Sequence, residues 1–82
     1  MLYPGAEKVI ETRIAGGEVY KLATDDSPKE VREWYEDKIG RTGNVVFQGE
    51  KTVFTTNGIT VVVTPEGGKT LIVITSGFKI DL

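Results

Sequence analysis

Thr52-Val53-Phe54-Thr55-Thr56-Asn57-Gly58-Ile59-Thr60-Val61-Val62-Val63-Thr64 is the stretch that decides how this chain folds. Two runs of Val, Ile, Phe and Thr flank Asn57-Gly58, and β-branched and aromatic side chains suit a pleated, half-buried surface. Asn and Gly accept the positive φ angles of a tight hairpin turn whose twist matches that of paired strands. A two-residue turn here pairs Phe54 with Val61 and Thr56 with Ile59. The sheet therefore starts as an antiparallel hairpin.

Strands extend outward from it in both directions. Downstream, Pro65-Glu66-Gly67-Gly68 reads as a four-residue turn into a strand over 70–75, setting Ile72 against Val61 and Ile74 against Ile59. Phe54, Ile59, Val61, Val63, Ile72 and Ile74 then share one face, because side chains alternate with period two. The other face carries Val53, Val62, Leu71 and Val73 among Thr55, Thr60 and Thr75. Upstream, 45–48 is a short strand after a loop over 41–44. Nearer the start, 8–15 and 18–24 read as strands joined at Gly16-Gly17. A three-residue loop, Ala15-Gly16-Gly17 with Gly17 left-handed, brings Ile10, Ile14, Tyr20 and Leu22 to one face.

Between the two sets of strands lies the helix. Ser27-Pro28-Lys29-Glu30 predicts its start: Ser27 accepts from the Glu30 amide, and Glu30 reaches back to the Ser27 amide. Pro28 at the first helical position arrives with φ already set. Asp25 and Asp26 suit the positive end of the helix dipole. Val31, Trp34, Tyr35 and Ile39 form one apolar stripe, and Gly40 ends the helix. The expected architecture is α+β in two layers, ordered ββαββββ, with the alternating tail 78–82 as a candidate last strand. Its core comprises Ile10, Ile14, Tyr20, Leu22, Val31, Trp34, Tyr35, Ile39, Phe54, Ile59, Val61, Val63, Ile72 and Ile74.

Composition narrows function more than it defines it. The 82 residues fit one domain, 1–82, with a single modest core. A formal net charge of −2, with Lys and Arg scattered and never in a run, argues against nucleic acid as a partner. The chain has no Cys, so disulfides and thiolate chemistry are excluded. It has no His, which removes the commonest general base and the commonest transition-metal ligand. The apolar run over 59–63 is too short to span a membrane. No signal peptide is read at the start, which points to a cytoplasmic protein, or to an exported one whose signal segment has been removed.

Each candidate for chemistry has a structural reading that suits it better. Gly67-Gly68-Lys69-Thr70 looks like the end of a phosphate-binding loop, but Val63 stands where that motif needs Gly, and a strand follows instead of a helix. Asp25, Asp26 and Glu30 offer oxygen ligands, yet their spacing matches no calcium loop and helix capping explains all three. Ser27 and Ser76 lack an activating base. Trp34 and Tyr35 have the helical spacing of core residues rather than that of a stacking platform. No catalytic residue, cofactor or metal is expected.

Two stretches carry a resemblance. Tyr3-Pro4-Gly5-Ala6 opens the chain, and Thr24-Asp25-Asp26-Ser27-Pro28-Lys29-Glu30-Val31 precedes Trp34-Tyr35. Together with Gly68-Lys69-Thr70-Leu71-Ile72-Val73-Ile74, they resemble a loose group of small bacterial domains of unknown function. Those domains share a YPGA-like opening and a TDDSP-type helix cap, and they are often attached to exported proteins or lipoproteins. The resemblance implies this fold and a non-enzymatic role, and it carries over no catalytic residues. The leading expectation is a non-catalytic accessory or protein-interaction domain. The alternative is a small-ligand or lipid-binding domain with a pocket between helix and sheet. The candidate interface is Val53, Val62, Leu71 and Val73, joined by Phe78, Ile80 and Leu82, and it suits a homodimer, because an uncovered apolar face commonly marks an interface.

Overall fold

Turn chemistry sets the order of the strands. The computed structural model describes residues 2–14, 16–40 and 43–77, with the side chain of Ile14 outside the description. The elements run β1 (Glu7–Ile14), β2 (Gly17–Thr24), α1 (Pro28–Ile39), β3 (Asn44–Gln48), β4 (Lys51–Thr56), β5 (Ile59–Glu66) and β6 (Lys69–Ser76). They form one six-stranded sheet in the order β1-β2-β6-β5-β4-β3, every pair antiparallel. The helix carries the chain from one hairpin to the far edge, from which β3 to β6 fold back strand by strand. The tail residues Phe78, Ile80 and Leu82 lie outside the described residues.

Asn57 and Gly58 both take positive φ, at 43° and 79°, and the pairs Phe54–Val61 and Thr56–Ile59 form as the turn dictates. Gly67 and Gly68 do the same, at 57° and 84°. That makes the β5–β6 connection a two-residue turn with Glu66 opposite Lys69, not the four-residue turn expected. Val61 consequently faces Ile74, and Val63 faces Ile72. The shift is of two residues, so every side chain keeps its expected face.

The first hairpin departs further. Ile14 pairs with Gly17, a two-residue connection instead of three, which places Ile10 opposite Lys21 on the sheet's second face. Ile10 is 46% exposed and no part of the core. A bulge between Lys8 and Ile10 then restores the register, with Lys8 opposite Leu22. The expected burial of Ile14 lies outside the described side chains.

The helix starts as its cap dictates. Ser27 has an extended backbone, and its Oγ accepts from the Glu30 amide at 3.2 Å. The same hydroxyl donates to Glu30 Oε1 at 3.2 Å, so the Glu30 carboxylate meets the Ser27 hydroxyl rather than the expected amide. Val31, Tyr35 and Ile39 face the sheet and are buried over Phe54, Val61, Val63, Ile72 and Leu22. Trp34 sits at the rim of this stripe, partly buried, edge-on to Tyr3 and Tyr35, with Lys38 Nζ 5.5 Å above its ring. Tyr20 and Ile59 are likewise partly buried against the core. Gly43 closes the passage from helix to β3. A Cβ there would collide with Ile39 Cγ2 and stand 2.7 Å from the Thr55 carbonyl oxygen.

Candidate functional site

The residues weighed for chemistry come together at one corner, where β2 enters the helix. Asp26 is its hub. Its amide donates to Thr24 Oγ1 at 3.2 Å, and its carbonyl accepts from the buried Thr70 hydroxyl at 2.7 Å. Its carboxylate accepts from the Tyr3 hydroxyl at 2.6 Å. That last bond pushes the Tyr3 pKa up to about 12, because ionising the phenol would set two anions against each other. Burial raises Tyr35 as well. Asp25 pairs with Lys69 at 2.9 Å, and Glu30 is bound to Ser27. The three carboxylates thus point to three different partners, and no group of metal-binding side chains converges among the described residues. Lys69 of the Gly67-Gly68-Lys69-Thr70 segment serves the ion pair, while Thr70 locks β6 to the corner. An open cleft borders this corner, with Glu50 and Glu66 contributing two further carboxylates.

The second face of the sheet looks different. Ile10 pairs with Lys21, Lys21 with Val73, Val73 with Val62, Val62 with Val53 and Val53 with Val46. One row of cross-strand neighbours therefore crosses all six strands, with Lys21 its single charge. Beside it runs a second row, Thr12, Val19, Thr75, Thr60, Thr55 and Asn44. The helix lies on the opposite face, over β4 and β5, and no described element covers these rows. Val53, Val62, Leu71 and Val73 are thus brought together as expected. Ile10 and Val46 extend the row to both edges, two positions the sequence reading missed. Ile10 was hidden by the two-residue connection after Ile14, where three residues were expected, and Val46 by treating β3 only as a short strand.

On the helix side, the layer between helix and sheet is filled by Tyr35, Phe54 and their neighbours. One open groove on this side, of about 290 Å³, is lined by Leu2, Tyr20, Ile59 and Ile74 together with Glu18 and Ser76. The Tyr20 hydroxyl donates to Glu18 at 3.0 Å there. No described helix is long and apolar enough to cross a membrane.

No protein-family model, curated protein or solved structure matches the chain.

Proposed function

We propose that this chain is a non-catalytic protein-interaction domain that binds through the second face of its sheet. The observation that carries this reading is the row from Ile10 to Val46, apolar at five of its six positions and free of any described cover. Apolar area of that continuity is worth roughly 25 cal/mol per Å² when a partner removes it from water. The flanking threonines supply hydroxyls that reward a partner of matching polarity. The non-catalytic part rests on Asp25, Asp26 and Glu30, each engaged in a structural bond of its own.

Photo-crosslinking tests the surface directly. A photoreactive side chain at Val53, Val62 or Val73 should form adducts with a protein partner in the source cell, and one at Glu33 on the exposed side of the helix should not. Equal yields at all four positions would refute the assignment.

A second reading, a small apolar ligand, is favoured by the groove at Leu2, Tyr20, Ile59 and Ile74. Its lining is aromatic and aliphatic with few polar groups, as ligand sites usually are. Tyr20 fluorescence that responds to a fatty acid titrated into the protein would support this reading, and a flat titration would remove it.

A further inference from the structure

We infer that β3 is a self-pairing edge: two copies of this chain join through antiparallel β3–β3 contact, centred on Val46, into one continuous sheet. The inference stands apart from the face proposed above, since it concerns backbone groups at the rim rather than side chains on the surface.

β3 reads Asn44-Val45-Val46-Phe47-Gln48, without a charge or a proline, and all five residues are exposed. Phe47 is 65% exposed and Val46 47%. β3 pairs with β4 on one side only, so its outer N–H and C=O groups present a ready template for another strand. Such an edge is unusual on a domain that stays single, because charges, prolines or bulges normally protect it.

The sequence of β3 is complementary to its own reverse. With Val46 on a two-fold axis, Val46 faces the partner's Val46, Val45 faces the partner's Phe47, and Asn44 faces the partner's Gln48. Aromatic and β-branched side chains are favourable cross-strand pairs, two amides can exchange hydrogen bonds, and no like charges meet. The face assignments agree as well. Val45 and Phe47 lie opposite Phe54 and Thr52, on the helix side. Phe47 there borders a groove of about 310 Å³ whose far wall is Lys29, Arg32, Glu33 and Glu36. The partner's Val45 would pack against Phe47 in that position. Val46 lies on the second face, so pairing would carry the row from Ile10 to Val46 straight into its copy.

The occupant is a second copy, because β3 is uncharged, exposed along its whole length and complementary to its own reverse. Contact over five residues is a small interface, so association should be reversible and strengthen with concentration.

Sedimentation of the intact chain across a wide concentration range tests the pairing. The mass should rise from 9.0 kDa to twice that value as concentration increases. Val46→Lys and Val46→Glu each place two like charges face to face across the axis, and each should weaken association about tenfold or more. Mixing the two variants should restore it, because Lys then faces Glu. Melting curves like those of the unaltered chain would establish that both variants fold. The proposal is overturned by a chain that remains monomeric at millimolar concentration, or by variants that pair as the original does. A mixture no more associated than its components overturns the Val46-centred register. Loss of the dimer on Val62→Lys alone would move the contact to the sheet face.

Discussion

The two edges of the sheet are built on opposite plans. β1 carries Glu7, Lys8, Glu11 and Arg13 among its eight residues, has a bulge between Lys8 and Ile10, and is laced by ion pairs. Lys8 meets Glu11 at 3.3 Å, and Arg13 meets Glu18 at 3.3 Å. A strand docking on β1 would have to desolvate charges and follow a distorted backbone, which is how natural sheets keep their edges unpaired. β3 has neither device. In one short chain, one rim is protected against strand addition and the other is left open, and the contrast itself argues that the open rim has a use.

The largest expected effect comes from Phe54→Ala, because Phe54 is fully buried, pairs with Val45 of the open edge and packs against Tyr35 with ring centres 6.0 Å apart. Denaturant unfolding should show a loss of about 3–5 kcal/mol. Hydrogen exchange should show amides of β3 losing protection well before those of β1. Equal losses at both edges would mean that the sheet opens as one unit and that the contrast has no dynamic counterpart.

Gly43→Ala attacks the entry to β3 alone. The added methyl group meets Ile39 and the Thr55 carbonyl, so the cost should be about 1–3 kcal/mol. A neutral result would show that the helix–β3 passage relaxes freely.

Tyr3 holds the lead-in to β1 against Asp26, and Tyr3→Phe should cost on the order of 1.5 kcal/mol. The pH dependence has a defined sign. With the folded-state pKa raised, the stabilisation is complete below the ordinary pKa of 10.0 and is lost as pH climbs towards about 12. Phenolate absorbance should appear in that window together with loosening of the segment before β1. Titration of all three tyrosines at the ordinary value would contradict the Tyr3–Asp26 bond.

Ser27→Ala should cost about 1 kcal/mol, visible as a shifted denaturation midpoint, and should affect both edges alike because the helix spans the connection between them. The smallest effect belongs to Arg13→Ala. Its exposed ion pair with Glu18 should contribute well under 1 kcal/mol to stability. If the charges of β1 serve to repel strands, the same change should raise self-association. An unaltered mass would assign that protection to the bulge.

The fold was legible wherever a local signal sufficed. Ser27-Pro28 marked the helix, Asn57-Gly58 fixed one register, and period-two alternation put Phe54, Val61, Val63, Ile72 and Ile74 on the buried face. What escaped was either a choice between turns or a contact between distant segments. Two adjacent glycines at 67 and 68 permit a tight turn as readily as a longer loop, and the shorter one prevailed. Gly16-Gly17 likewise permits a two-residue connection as readily as the three-residue one expected, and so Ile10 was placed on the wrong face. Tyr3 is buried through Asp26 and the rings of Trp34 and Tyr35, partners that only folding brings near. The apolar surface was half legible. Val53, Val62, Leu71 and Val73 followed from alternation, while its continuation to Ile10 and Val46 needed the strand order.

That strand order also bears on the time at which the protein becomes a protein. β2 stands in the interior of the sheet only because β6, the last described strand, comes back to pair with it, Leu22 against Ile72 and Glu18 against Ser76. A ribosome releases β2 long before it releases β6. Throughout that interval the first hairpin has made its own pairing with β1 and nothing else, and the helix has no finished floor to settle on. Completion of the sheet therefore waits for β6, which acts as its keystone. The nascent chain carries its most vulnerable backbone, the inner side of β2, exposed until β6 has been made.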